Sequence, residues 1–410
     1  MIKKIAVNAG ISALTQLLSR GGLVIAAMVL ARGLNSTDFA AYSYFQLTAS
    51  MVATYAALGL GVTSAKLFAA ADTNPSVKPP LGTLWLLSFA LSVVAGVITY
   101  ALPRDWIAPD LEVSSIAFAS AVVVLSSSIV PAGAVVGLEK YRYAFLSAVA
   151  FFVTLLALAI YASKVGSLEF AMFGFVVAAS VQLCCHSLIV YRSVGFKVLV
   201  ETASLRLDSM LRVVRAVGLM AFVSIVAASG SWFVGRIILY HSSNPKDFSI
   251  YAIGLQWYAL ALFLPAMISR VLLPRFVRVE TGGSDAKQLL RIGMVGALAA
   301  GAVVAVIGSI FSSYIMMPYG VEYADFELVL VAFLFAALPA APANTLGNAI
   351  IASNGERVWL AVVSLSFVVL VASAYFLVRY GPIGGAVAHA IASITLSLLA
   401  YWSAKKRSLL

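Results

Sequence analysis

Residues 328–355 read LVLVAFLFAALPAAPANTLGNAIIASNG and contain no Asp, Glu, Lys or Arg. An α-helix needs about 20 apolar residues to cross the hydrocarbon core of a bilayer, so this stretch is long enough to span a membrane. A further segment, 8–31, is equally apolar and is interrupted only by Arg20. Ten more charge-free stretches of comparable length are present: 39–65, 79–103, 113–138, 143–163, 170–191, 216–235, 248–269, 292–321, 358–378 and 380–404.

The composition agrees with a protein that lies in the membrane. Hydrophobic residues make up 62% of the chain and charged residues only 10%, with a mean hydropathy of +1.01. Lipid tolerates only structures that satisfy their own backbone hydrogen bonds, and no strand pattern supports a barrel. The sequence therefore predicts an all-α integral membrane protein with twelve transmembrane helices and no separate soluble domain.

The basic residues are distributed unevenly between the two sides of the predicted topology. The loops on the side of the two termini carry twenty Lys and Arg residues, whereas the opposite loops carry five. Cytoplasmic loops of membrane proteins are enriched in Lys and Arg. We therefore expect a multi-pass protein with both termini in the cytoplasm. The net charge of +11 follows this topology and does not indicate nucleic-acid binding.

Other classes of function find no support in the sequence. The basic N-terminus leads into an apolar segment without a cleavage motif, so we expect no secretory signal. No Cys and His spacing is typical of a metal site, and no Gly-x-x-x-x-Gly-Lys-Ser/Thr loop occurs. Cys184 and Cys185 are adjacent in one span, and we expect buried, reduced thiols. We therefore predict no metal, no cofactor and no enzymatic activity.

An internal repeat divides the chain near its middle. Residues 35–42 (NSTDFAAY) reappear as residues 244–251 (NPKDFSIY). Each copy precedes an even-numbered helix, so the two halves enter the membrane in the same sense. We expect two parallel six-helix lobes, 1–200 and 201–410, around a central cavity. Four prolines within the apolar windows favour bending of helices: Pro131, Pro265, Pro339 and Pro342.

Two arginines lie inside predicted helices beside other polar or aromatic residues. Gln16 precedes Arg20 by about one turn in helix 1, and Trp232 precedes Arg236 by about one turn in helix 7. An arginine near the bilayer centre costs at least about 2.5 kcal/mol, so it normally faces protein or a watery cavity. No carboxylate lies in any of the charge-free windows. We predict a cationic interior that binds an anionic ligand, with phosphate or pyrophosphate as the best match for guanidinium.

Three other residues complete the predicted substrate-binding set. Gln46 lies on a polar stripe of helix 2, and Lys66 and Arg270 lie near the inner ends of helices 2 and 8. These two cations could instead snorkel to lipid headgroups, and polar stripes can simply hold helices together. The aromatic residues could likewise stack on sugars or pack in the core. Proton transfer and structural hydrogen bonding are both open for the three histidines: His186, His241 and His389.

Six short motifs run from one end of the chain to the other. They are ARGL at 31–34, DFAAY at 38–42, ALGLG at 57–61, GLEKY at 137–141, LPR at 273–275 and YGPIGGA at 380–386. Each motif is degenerate, but in this order and spacing they resemble the Wzx-type polysaccharide flippases. That family belongs to the multidrug/oligosaccharidyl-lipid/polysaccharide exporter superfamily.

The resemblance implies a flippase of the bacterial inner membrane. Such proteins move undecaprenyl-pyrophosphate-linked oligosaccharides, the repeat units of O-antigen, lipopolysaccharide or exopolysaccharide, from the cytoplasmic to the periplasmic leaflet by alternating access. It implies that Arg20 and Arg236 line a cationic cavity between the lobes. It also implies a monomer that meets membrane lipids, with a polysaccharide polymerase and a chain-length regulator as partners.

Several alternatives to this function can be compared with the sequence. A multidrug exporter of the same superfamily would generally use an intramembrane carboxylate, which the windows lack, and lipid II flippases resemble fourteen-helix proteins. A polysaccharide polymerase or ligase would need a large outer loop. A major-facilitator carrier would carry a basic motif between helices 2 and 3, where this chain has DTNPSVKPP at 72–80. The sugar composition, the coupling ion and the resting conformation stay open.

Overall fold

The computed structural model describes residues 2–73, 81–102, 111, 113–203, 218–242, 244–267, 284–353 and 355–409. All regular secondary structure within these residues is helical. The α-helices in chain order are α1 Ile2–Gly33, α2 Ser36–Ala57, α3 Leu60–Thr73, α4 Leu81–Ala101, α5 Ser115–Gly137, α6 Tyr141–Val165, α7 Leu168–Val194, α8 Phe196–Glu201, α9 Met220–His241, α10 Lys246–Ala261, α11 Ser284–Ile310, α12 Ser312–Met316, α13 Glu327–Ala352, α14 Glu356–Leu377 and α15 Gly381–Lys406.

Ten segments of the described chain are long and apolar enough to cross a membrane. One of them, Glu356–Lys406, is 51 residues long and contains both α14 and α15, joined by the 3-10 turn Val378–Tyr380. The protein is therefore an all-α, multi-pass membrane protein. The number of twelve spans stays a prediction.

The second predicted span is two helices and not one. Leu58 and Gly59 separate α2 from α3 and have left-handed φ angles of 44° and 71°. A right-handed helix cannot continue through two such residues, and glycine adopts this conformation without a steric cost. The Leu58 N–H donates to the Tyr55 carbonyl at 3.1 Å and closes the last turn of α2.

Prolines act differently in different helices. Pro131 lies inside α5, and Pro339 and Pro342 lie inside α13. In contrast, α10 ends at Ala261, four residues before Pro265. Proline has no N–H, so Pro265 cannot donate to the Ala261 carbonyl, and the helix is interrupted there before helical residues resume at 263–267.

The described helices form two compact units, Met1–Ile225 and Val226–Leu410, and the division falls within α9. In the first unit α5 packs against α4 and α7, and α6 packs against α7. In the second unit α13 packs against α11 and α15, and α14 packs against α15. The two units thus repeat one packing order. The predicted lobe boundary at residue 200 stays a prediction, since residues 204–217 lie outside the described part of the chain.

The repeated motif occupies buried positions in both units. Phe39 and Tyr42 are 0% and 2% exposed, and their counterparts Phe248 and Tyr251 are both 0% exposed. In the first copy the Asp38 N–H donates to the Asn35 side chain at 2.8 Å. This is an N-cap that satisfies a free donor at the start of α2. In the second copy α10 begins after Pro245, which provides no side-chain cap, and the Lys246 N–H donates to the Asn244 side chain at 3.0 Å. The repeat therefore marks a helix start and the same core face in each half.

Candidate functional site

The polar face of α1 carries two hydroxyls and two larger polar side chains. The hydroxyls of Thr15 and Ser19 donate to carbonyls of their own helix, Ile11 and Thr15, at 2.8 and 3.0 Å. Gln16 is half-buried and Arg20 is exposed, about one turn apart. The hydroxyls of Thr15 and Ser19 thus bond within α1, as the structural alternative expects, and Gln16 and Arg20 lie on the same face of this helix.

The polar stripe of α2 also contains hydroxyls that bond within their own helix. Ser50 and Thr54 donate to the carbonyls of Gln46 and Ser50 at 2.7 and 2.9 Å. Tyr42, at the start of the stripe, is buried, and the Gln46 side chain is half-buried. α1 packs chiefly on α6 and only slightly on α2. Gln46 and Arg20 are therefore presented by helices that share little contact.

The second unit combines a cation with aromatic rings on α9. The Arg236 guanidinium carbon lies 6.0 Å from the centre of the Trp232 ring, within the range of a cation–π contact. Trp232 in turn meets Phe233 edge-on at 5.0 Å, and Phe233 meets Phe367 of α14 at 5.6 Å. These contacts hold α9 against α14. They also restrict the rotamers of a half-buried arginine whose planar fork matches phosphate oxygens.

Two predicted site residues cannot be placed. Arg270 lies outside the described residues, and so does the side chain of Lys66, although its backbone belongs to α3. Gln16, Arg20 and Gln46 belong to the first unit, whereas Trp232 and Arg236 belong to the second. The structure brings Trp232 and Arg236 together, and the shared role of all seven residues stays a prediction.

A buried aromatic network in the second unit surrounds His389. The Tyr251 hydroxyl donates its single proton to the Ser231 carbonyl at 2.8 Å and lies 3.1 Å from His389 Nε2. His389 Nε2 must therefore carry the proton of this second hydrogen bond. Tyr258 meets the His389 ring at 5.3 Å and pairs with the Ser393 hydroxyl at 3.1 Å. Tyr251 and Tyr258 thus pack in the core and hold a histidine.

The other predicted thiols and histidines differ in exposure. Cys184 and Cys185 are free, as expected, but Cys184 is exposed and Cys185 half-buried, so the prediction of buried thiols is wrong. Consecutive helical positions point about 100° apart, which places the neighbouring His186 and not Cys184 in the core. His241 is exposed, with Nδ1 at 3.0 Å from the Ile237 carbonyl. Among the described residues no His, Cys, Asp or Glu cluster could hold a metal.

A cavity inside the first unit was not predicted. It has a volume of about 240 Å³ and lies among α4, α5 and α7. Three of its polar atoms have no hydrogen-bond partner within the described protein: Trp85 Nε1, Ser88 Oγ and Ser127 Oγ. The sequence contained a local signal, since Pro131 cannot donate to the Ser127 carbonyl one turn before it. The lining of this pocket is mostly apolar, and its volume is large enough to hold water beside the three polar atoms.

The fold matches that of known membrane transporters. A multidrug resistance MATE family transporter of the MOP superfamily, in an inward-facing conformation, superposes with a TM-score of 0.75 at 14% identity, covering 96% of this chain and 94% of that one. The lipid II flippase MurJ, in an inward closed conformation, gives a TM-score of 0.74 at 15% identity, covering 97% and 89%. The D35N mutant of the Vibrio cholerae MATE transporter VcmN gives 0.69 at 12% identity, covering 98% and 96%.

The fold is therefore that of the MOP superfamily transporters among these structures. Residues 5–280 match the family described as polysaccharide biosynthesis protein, and the chain belongs to that family. The predicted resemblance to Wzx-like flippases is confirmed. No curated protein matches the sequence. Because the structural neighbours are no more than 15% identical, they establish the fold alone.

Proposed function

We propose that this protein is a flippase that moves undecaprenyl-pyrophosphate-linked oligosaccharides from the cytoplasmic to the periplasmic leaflet of the bacterial inner membrane. The observation that carries the proposal is the Arg236–Trp232 pair on α9, in a chain of the polysaccharide biosynthesis family. A guanidinium binds pyrophosphate oxygens in bidentate fashion, and an indole face beside it suits a sugar ring. A lipid-linked glycan contains both groups, the pyrophosphate and the sugar rings.

The charge of two helices supports an anionic cargo. α1 contains Arg20 and α9 contains Arg236, and neither helix contains an Asp or a Glu. A cation would meet like charge there, and an anion would be attracted. Lys66 and Arg270 lie near the predicted cytoplasmic ends of their spans. They would extend the positive charge toward the cytoplasmic leaflet, in which the substrate is made.

Transport would proceed by alternating access of the two lobes to a central cavity, with the polyprenyl chain remaining in lipid. The sequence has no nucleotide-binding loop, so the energy would come from an ion gradient or from consumption of the product outside. A monomer is sufficient for this cycle. A polysaccharide polymerase and a chain-length regulator are the partners that would consume the repeat units in O-antigen or lipopolysaccharide synthesis.

Reconstitution tests the function directly. Purified protein in liposomes should move a fluorescent undecaprenyl-pyrophosphate oligosaccharide between leaflets, measured as fluorescence that becomes accessible to a membrane-impermeant reductant. Lipid II and a fluorescent cationic drug serve as competing cargoes. Translocation of the oligosaccharide in preference to both supports the proposal. Transport of the drug or of lipid II alone would assign the protein to one of the two alternative transporter functions.

A further inference from the structure

A groove lies between α6 and α7 at the end of the first unit that we predict to be cytoplasmic. It has a volume of about 470 Å³. Lys140 lies at its mouth as the residue preceding α6, and Arg192 lies in the last turn of α7. Tyr143, Leu146 and Ser147 of α6 and Leu188 of α7 form much of its wall. We refer to this feature as the α6–α7 groove.

The mouth of the α6–α7 groove is electropositive. Lys140 and Arg192 both line it, and no described carboxylate does, since the neighbouring Glu139 is exposed and outside the lining. The N-terminus of α6 adds to this charge because Lys140 gives it no side-chain cap. Uncapped N–H groups and the helix dipole favour an anion at such a position. The groove is therefore suited to a phosphate.

Ser147 places a polar atom deeper in the groove. Its side chain is only 2% exposed, and its hydroxyl has no hydrogen-bond partner within the described protein. A buried hydroxyl without a partner is costly, so a ligand oxygen that reached it would be stabilised. The groove thus combines two cations, Lys140 and Arg192, with the hydroxyls of Ser147 and Ser193 in its lining.

Apart from Cys185 and Ser193, the remaining wall is apolar and open toward the lipid. Leu146, Tyr143 and Leu188 are 60%, 57% and 49% exposed. On a membrane helix such side chains contact acyl chains, and a tyrosine at the interface keeps its hydroxyl among the headgroups. A soluble anion would use the cations but not this surface. An amphipathic anion uses both.

We propose that the α6–α7 groove binds an anionic diacyl phospholipid of the surrounding bilayer, independently of the transported substrate. Lys140 and Arg192 hold the phosphodiester, the Ser147 hydroxyl donates to an ester oxygen, and an acyl chain lies along Leu146 and Leu188. Basic pockets between membrane helices on the cytoplasmic side are suited to such headgroups. The bound lipid bridges the start of α6 and the end of α7 and stabilises the first unit.

Native mass spectrometry of the full-length protein, with lipids added after detergent exchange, tests this proposal. We expect wild-type protein to retain phosphatidylglycerol in preference to phosphatidylethanolamine. The variant Lys140→Gln/Arg192→Gln should bind phosphatidylglycerol about 25-fold more weakly, because each basic residue near anionic lipid contributes about fivefold in affinity. Lys405→Gln/Lys406→Gln removes the same charge from exposed positions on α15 and should bind like wild type. Ser147→Ala should weaken binding less than the double variant.

Three outcomes would overturn the assignment. Equal retention of the two phospholipids by wild type would remove the anionic preference, and unchanged binding by Lys140→Gln/Arg192→Gln would remove the site. Displacement of phosphatidylglycerol by undecaprenyl phosphate at lower concentration would identify a polyprenyl lipid as the occupant. Inorganic phosphate should compete only weakly, since it lacks the acyl chain. The changed side chains are at the surface of the groove, and a thermal unfolding curve of each variant without lipid verifies the fold.

Discussion

At the scale of single residues, the side chain of Arg236 is conformationally restricted and also suited to binding an anion. The Trp232 ring lies under its guanidinium, and Phe233 fixes that ring against α14. A restrained arginine loses less side-chain entropy when it binds an anion than a free one does. Arg20 has the same spacing to a polar neighbour on α1 but an exposed side chain. We expect Arg236 to contribute more to substrate binding than Arg20.

We predict that Arg236→Ala lowers the rate of oligosaccharide translocation at least about tenfold, since a charge-assisted hydrogen bond contributes about 1.5 to 3 kcal/mol. Arg236→Lys should recover only part of the rate because a lysine cannot bind two oxygens at once. The initial rate in liposomes at equal protein content measures both variants, and Arg20→Ala is compared in the same way.

A matched control is available in the same unit. Arg379 lies 4.9 Å from the Tyr380 ring in the turn before α15, and its side chain is exposed. Arg379→Ala therefore removes a cation–π pair in the turn between α14 and α15 and should leave the rate unchanged. A full wild-type rate in Arg236→Ala and Arg20→Ala would exclude both arginines from the mechanism.

At the scale of helices, α3 and α5 approach each other through small residues. Gly133 and Gly137 form a Gly-x-x-x-Gly pair on α5. A Cβ at Gly133 would overlap the Gly61 carbonyl of α3, and one at Gly137 would overlap the Ala65 carbonyl. Ser64 joins the same contact and donates to the Val130 carbonyl at 2.7 Å. Small residues allow backbones to come this close in a membrane protein.

Gly137→Ala should therefore destabilise the protein by about 1 to 3 kcal/mol, because backbone atoms and not a flexible side chain must move to make room. Thermal unfolding in detergent reports the change as a lower melting temperature. Gly21→Ala is the control, since a Cβ at Gly21 meets nothing within 4 Å in the middle of α1. Equal melting temperatures for the two variants would contradict the close approach of α3 and α5.

At the scale of the whole molecule, the predicted topology depends on loops as well as on helices. Lys405 and Lys406 end α15, and the described chain reaches residue 409. A reporter fused after residue 406 should give a cytoplasmic readout, with fusions in the outer loops after Lys164 and Arg379 as periplasmic controls. A periplasmic readout after residue 406 would mean that the predicted number of spans or their orientation is wrong.

Two repeated packing units also allow a prediction about movement. Thr37 and Lys246 lie in the two copies of the repeated motif, at the starts of α2 and α10. If the units rock during transport, spin labels at these positions should report a distance that changes when lipid-linked oligosaccharide is added. A single narrow distance distribution, with and without substrate, in protein that translocates its cargo would argue against rocking.

The sequence by itself determined the membrane-spanning, all-α class, the family and the repeat. Whether a segment can span the bilayer depends on its own length and hydrophobicity. Spans such as 328–355 could therefore be predicted without tertiary information. The break at Leu58 and Gly59 was not predicted, because a left-handed residue depends on how the adjoining helices pack. Tertiary structure alone decided which side chains pair in the core and which face outward: Tyr251 and His389 pair across 138 positions, and Cys184 is exposed. The α6–α7 groove needed it too, since its walls come from segments that only folding brings together.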